Sequence, residues 1–233
     1  MLAVLYDIHG NLPALEAVLD DAREAQVDRF VLGGDYTAFG AWPIETLARL
    51  DDLEPATWIR GNWDRWLAVH PAPDLPADAT VQGAAEHAHA SLDGAVLSRL
   101  GALPATVTLD EILFCHASPG SDTEGFAADE EDPEADARFM DGVTEELVVC
   151  GHTHVQFDRH ADGLRLVNPG SVGLPLDGDP RAAYALIASP DDIELRRVAY
   201  DEASAAAALR QVGDDWADVV AQRLLRAGAG GGA

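Results

Sequence analysis

Seven residues of this chain combine metal-binding donor atoms with a recurring position: Asp7, His9, Asp35, Asn62, His116, His152 and His154. Apolar runs of strand length precede them: LAVLY before Asp7, RFVLGG before Asp35, ATWIRG before Asn62, ILFC before His116 and ELVVCG before His152. A buried strand gains nothing from an ionised side chain, which is costly away from water unless a partner holds it. Here every side chain offers oxygen or imidazole nitrogen, and the partner that suits such a set is a cation. Residues two apart oppose each other on a helix but share one face of an extended strand. Asp7 with His9, and His152 with His154, are therefore expected to converge from extended segments. Mixed nitrogen and oxygen donors suit manganese, iron, zinc, cobalt or nickel better than calcium. Seven donors exceed the needs of one tetrahedral ion. They fit two ions sharing a carboxylate, an arrangement that activates water and clamps a phosphoryl group.

Bringing these residues together takes a fold whose strand ends meet. LAVLY (2–6) reads as a strand; Asn11 then offers a helix cap, Pro13 sits in the first turn, and Leu15, Val18, Leu19, Ala22 and Ala25 keep helical spacing. A strand over 29–35, a helix over 43–50 and a strand over 56–62 follow. Such alternation predicts an α/β sheet with parallel crossovers, in which the carboxyl ends of the strands converge on one edge. Further along, the pattern predicts a helix over about 84–100, a hairpin of 105–109 with 112–116, and a long acidic surface loop over 118–136. A strand over 146–154 again ends at polar residues, and LRLVNPGSVG, AAYALIA and IELRRVAY supply later strands for a second sheet. Residues 201–226 form an alanine-rich helical pattern interrupted at Gly213, and 227–233 reads as a flexible tail.

Composition narrows the partners. The 233 residues are 48% hydrophobic, enough to build a core, and hold 41 acidic against 15 basic residues, every one of them arginine. A formal charge of -26 with no basic stripe argues against polyanionic nucleic acid as a partner. No apolar stretch is long enough to cross a bilayer, and the N-terminal run lacks the basic flank of a signal peptide. Cys115 and Cys150 sit inside apolar strand patterns and read as buried thiols of a reducing compartment. A cytoplasmic protein with no membrane partner is expected; composition gives no reading of oligomeric state.

In order along the chain, DIHGN (7–11), GGD (33–35), GNWD (61–64), the lone His116 and GHTH (151–154) resemble the five blocks of the calcineurin-like metallophosphoesterases. NPGSVG (168–173) is similar to a turn of the small bacterial and archaeal phosphodiesterases in that group. The resemblance runs from Leu2 to about Tyr200 and implies one such domain over 1–200, with a C-terminal helix packed on it over 201–226. It implies an α/β fold, a four-layer α/β/β/α sandwich of two mixed sheets flanked by helices. It also implies two divalent metal ions, manganese first, with iron, nickel, cobalt or zinc as alternatives. Asp7, His9 and His154 would hold one ion, Asn62, His116 and His152 the other, and Asp35 would bridge them. Asp35, Asn62 and His116 would be the catalytic residues, with hydroxide held between the ions attacking phosphorus and no covalent enzyme intermediate. The implied substrate is a small phosphorylated, nucleotide-like molecule. A phosphoprotein or a dinucleoside polyphosphate is the alternative, and a non-catalytic interaction protein on the same fold is the reading from another class.

One block departs from the common pattern: many members have histidine where this chain has Trp63, and an indole N–H has no useful acidity. That disfavours phosphomonoesters with poor leaving groups. Trp63 itself reads either as a packing residue or as a stacking wall for a base or aryl group. Asn11, at the start of the first helix, and Arg181, after a turn-rich GDP, join it as expected substrate contacts. Arg60, two residues before Asn62, reads either as a phosphate contact or as one half of a surface ion pair. His87 and His89 fall on different faces of a helix and cannot chelate together, and Asp64 is expected to orient its loop.

Overall fold

The computed structural model describes residues 1–128, 133–161 and 163–228. Its first part alternates short strands with helices: β1 (Leu2–Leu5), α1 (Leu12–Glu24), β2 (Arg29–Leu32), α2 (Pro43–Asp51), β3 (Ala56–Trp58) and α3 (Asn62–Ala68). Two further helices, α4 (Ala79–Ser91) and α5 (Gly94–Gly101), lead to the hairpin β4 (Thr106–Leu109) and β5 (Ile112–Cys115). Then come α6 (Pro133–Phe139), β6 (Leu147–Val149), β7 (Phe157–Ala161), β8 (Leu164–Asn168), β9 (Ala182–Ser189) and β10 (Asp192–Val198). The described chain closes with α7 (Glu202–Arg210) and α8 (Asp215–Arg226).

The strands form two mixed sheets, ordered β10-β9-β1-β2-β3 and β4-β5-β6-β8-β7. Within the first, β1, β2 and β3 are parallel; within the second, β5, β6 and β8 are parallel. Strand alternation then makes the layers. Leu2 and Val4 of β1 and Val31 of β2 face Phe114 of β5 and Leu147 and Val149 of β6 in one buried cluster between the sheets. The intervening Ala3, Leu5 and Leu32 point the other way, onto Leu15 and Val18 of α1 and Leu47 and Leu50 of α2. On the outside of the second sheet, Cys115, Val148, Cys150 and Leu166 pack with Phe126 and Met140. The expected α/β/β/α sandwich is present, and both cysteines are free, buried thiols.

Several elements differ from the sequence reading. AAYALIA and IELRRVAY do not build the second sheet: as β9 and β10 they extend the first, β9 pairing antiparallel with β1 through Leu2↔Ile187. The edge of β1 opposite β2 was open to them, and hydropathy does not specify which edge a strand takes. The helix expected over 84–100 is two, because the Asp93 carboxylate accepts from Ala95 N (2.9 Å) and Val96 N (2.8 Å) and starts α5 afresh. β7 escaped notice because Asp158 and His160 lie exposed between buried Phe157 and Ala161. Part of the acidic loop is ordered: Phe126 is buried and α6 starts at Pro133, while 129–132 lie outside the described residues. The C-terminal pattern breaks at Gly213 (φ 85°) into α7 and α8. Ala227 is the buried left-handed cap of α8 and no part of a tail; 229–233 lie outside the described residues. Among the described residues no helix is long and apolar enough to cross a membrane.

Phe114 is fully buried where the two sheets meet. Phe114→Ala is expected to destabilise the protein by about 3–5 kcal/mol, read as a lower urea midpoint at unchanged slope.

Candidate metal centre

The loops after five strands meet at one edge of the sandwich. Backbone bonds zip them together: Asp7 N donates to Gly34 O (3.2 Å), His9 N to Asp35 O (2.9 Å) and Gly151 N to His116 O (2.7 Å). The extended geometry expected for Asp7 with His9 and for His152 with His154 is not what brings them together. Asp7 (φ 54°), His9 (φ 50°), Asp35 (φ 58°), His152 (φ 65°) and His154 (φ 58°) all adopt the left-handed conformation. A left-handed non-glycine residue costs roughly 1–2 kcal/mol, so five of them persist only because the surrounding bonds dictate their positions. Alternating left-handed residues turn both side chains of each pair inward as the chain leaves the strand.

Asp7, His9, Asp35, Asn62 and His116 are all buried to within 2% exposure, and His154 to 7%. Imidazole Nδ1 atoms are tied to backbone carbonyls: His9 to Ala38 O (2.9 Å), His116 to Gly33 O (2.8 Å) and His154 to Leu174 O (2.6 Å). Those bonds place an N–H on Nδ1 and aim Nε2 inward. His9 Nε2 then lies 3.1 Å from His154 Nε2, a contact that needs a proton or a metal ion between the two nitrogens. Asn62 Oδ1 lies 2.9 Å from His116 Nε2 and 3.0 Å from His152 Nδ1. Each carboxylate is pinned by one oxygen, Asp7 Oδ2 accepting from His152 N and Asp35 Oδ1 from Trp63 N, both at 2.9 Å. The free Asp7 Oδ1 is buried without a hydrogen-bond partner, 3.4 Å from His154 Nε2, 3.8 Å from His116 Nε2 and 3.9 Å from His9 Nε2. Asp35 Oδ2 lies 3.4 Å from His116 Nε2 and 3.9 Å from His9 Nε2.

Acceptors gathered this closely repel one another unless a cation, a proton or a metal ion, lies among them. Proton affinities record the conflict. Burial, together with neighbouring His154, pushes His9 down to about 4. Burial opposes charge on His116 too, but Asp35 and Asp7 outweigh it and raise the group to about 10. The donor set therefore fits divalent ions. Two groups meet the geometry, Asp7–His9–His154 and Asp7–Asp35–His116, sharing Asp7.

A supporting layer fixes these side chains. Asp64 accepts from Asp35 N (2.9 Å) and Gly61 N (2.8 Å) and so orients the loop; burial and the Asp35 charge push it up to about 7. Ser171 Oγ donates to Asp7 O (2.7 Å), and Asn168 Nδ2 to Gly151 O (2.8 Å), so NPGSVG braces both histidine-bearing loops. Gly61 is required by contact: a Cβ there would lie 2.1 Å from Asp35 Oδ1.

The expected substrate contacts fare differently. Asn11 is buried and spent on structure, its amide donating to Gly173 O (2.8 Å) while its oxygen caps Ala14 N (3.3 Å). Arg181 is exposed and forked onto Asp179 (Nη2–Oδ2 2.6 Å), a partner two residues away that competes with any site contact. Trp63 is buried edge-on between Phe39 (4.6 Å) and Trp66 (5.4 Å), the packing arrangement. Phe39, which the sequence reading passed over, leans on His9 (5.5 Å) and carries that packing to the centre; nothing in its type or spacing signalled it. His87 lies tilted against Trp216 (5.4 Å) and His89 bonds Leu67 O, so both belong to the helical layer.

Over 229 residues the chain is 29% identical to an uncharacterized protein of Methanocaldococcus jannaschii, covering 86% of this chain and 88% of that one. A crystal structure of a metallophosphoesterase from Sphaerobacter thermophilus superposes with TM-score 0.82 at 27% identity, covering 97% of this chain and 98% of the other. The fold is shared with a hypothetical protein from Pyrococcus horikoshii, at TM-score 0.84 and 21% identity over 99% of this chain and 100% of that one. Residues 1–192 match the family model described as the calcineurin-like phosphoesterase superfamily domain, and it is to this superfamily that the chain belongs.

Proposed function

We propose that this protein is a binuclear-metal phosphoesterase that hydrolyses a phosphodiester or related nucleotide-like small molecule. The observation that carries the reading is the buried, unpartnered Asp7 Oδ1 amid three inward-facing imidazole nitrogens. Asp7, His9 and His154 would hold one divalent ion and Asn62, His116 and His152 the other, with manganese the first candidate. Asp35 would serve both, its Oδ2 lying between His9 and His116, and Asp7 Oδ1 likewise lies within reach of His154 and His116. Two such ions, when bound, supply an activated water and neutralise charge on the phosphoryl oxygens.

The chain's own residues set the rest. Carbonyl bonds to Nδ1 keep His9, His116 and His154 in one orientation, so no rotation is needed when ligands bind. Trp63 N fixes the Asp35 carboxylate, while the buried indole at that position supplies no proton to a leaving group. Substrates whose leaving group departs with little help, diesters with acidic alcohols among them, are favoured over alkyl phosphomonoesters.

Two results are expected. Metal-stripped protein reloaded with Mn²⁺ turns over bis-p-nitrophenyl phosphate faster than p-nitrophenyl phosphate, and Asn62→Ala lowers diester turnover by about 100-fold or more. Diester turnover that survives metal removal contradicts the reading. Mn²⁺ at 100 times its dissociation constant is expected to stabilise wild type by about 2.7 kcal/mol for each ion bound, read as a raised Tm, and His154→Ala to lose one ion's share of that shift. An equal shift in the variant contradicts the assignment of His154.

A further inference from the structure

We infer that Arg60 binds a second phosphate, next to the one at the metal centre, and so selects diphosphate-bearing small molecules as substrates. The inference rests on the phosphoesterase reading and adds the substrate class. Arg60 follows β3, two residues before Asn62, and its main-chain N–H is fixed to Pro104 O (2.8 Å). The guanidinium is held at one end only: Nη1 donates to Gly101 O (3.0 Å), and Nε is buried with no partner. Among the described residues no carboxylate pairs with it. Most arginines of the chain, Arg65, Arg159, Arg196 and Arg197 among them, hold acids; Arg138, Arg223 and Arg226 share the lack of an ion pair among the described residues, but none of those three lines the cleft beside His116.

Position gives this cation a use. Arg60 and His116 line one cleft of about 230 Å³, together with Ser118 and Asp122. Asp122 does not cancel its charge, being forked onto Arg65 at 2.6 Å and 2.8 Å. Beyond that ion pair Arg60 also lines a wider cleft of about 660 Å³ with apolar Val69, Leu92 and Leu97 beside it. A molecule whose reacting phosphate lies against His116 thus meets an arginine without an acid partner next, and then room for an organic group. A guanidinium fork matches two oxygens of a phosphate. Elsewhere the acidic surface repels such a ligand, so an arginine without an acid partner beside this cleft carries weight.

The test is calorimetric, with Mn²⁺-loaded protein and two probes, AMP and the non-hydrolysable α,β-methylene-ADP. Wild type is expected to bind the diphosphate about tenfold more tightly than AMP, and Arg60→Gln to bring the two within about twofold while leaving AMP affinity unchanged. Arg60→Lys, which keeps the charge without the fork, is expected to retain part of the preference; it decides the matter if Arg60→Gln lowers Tm. A wild type without preference, or a preference that survives Arg60→Gln, overturns the inference. Bis-p-nitrophenyl phosphate turnover separates the two claims. Should it be absent while the Arg60-dependent preference stands, the phosphoesterase reading fails and the diphosphate subsite remains.

Discussion

Nitrogen and oxygen donor atoms crowded at one buried edge dominate this molecule. Across the edge where the two sheets end, His9 Nε2 and His154 Nε2 stand 3.1 Å apart, Asn62 Oδ1 faces two imidazoles, and Asp7 Oδ1 is buried without a donor. The two Nε2 atoms can face each other only across a proton or a metal ion, and a buried carboxylate oxygen without a donor is among the costlier arrangements in a protein. Much of the surrounding architecture resists the relaxation that would relieve them. Carbonyl bonds lock the imidazoles, backbone amides lock one oxygen of each carboxylate, and left-handed residues hold the turns.

The sandwich makes this affordable. Between the sheets lies an apolar cluster centred on Val4, Phe114 and Val149, and a second apolar layer packs the first sheet onto its helices. Both converge on the same end because β1, β2 and β3 are parallel in one sheet and β5 and β6 in the other. Loops that leave parallel strands at the same end reach each other without long insertions, and two of them are tied by Gly151 N to His116 O. Packing supplies the stability, and the strand ends convert part of it into preorganised donors.

What was legible in the sequence follows from these physics. Apolar runs ending in Asp, Asn or His marked the strand ends, so the convergence of Asp7, His9, Asp35, Asn62, His116, His152 and His154 could be read before any coordinates. The hairpin at 106–115 was legible as well, and its Asp110 and Glu111 take the left-handed conformations of a tight turn. Other features were hidden. Which sheet β9 joins depends on an open edge of β1, which hydropathy does not encode. Left-handed backbone at Asp7 and His9 left no trace because no glycine marks it. Asn11 and Arg181 have the right chemistry for phosphate, but local partners, Gly173 O and Asp179, take them first. Arg60 is the reverse case: the sequence left it between a phosphate contact and a surface ion pair, and among the described residues no acid takes it.

The central claim is that these converging acceptors hold two divalent ions. Anomalous scattering from crystals soaked in Mn²⁺ tests it most directly. Two peaks are predicted roughly 3.5–4 Å apart, one against His9 and His154 and one against Asn62, His116 and His152, with the Asp35 carboxylate between them. A single peak, or a pair that does not touch these side chains, would contradict the account.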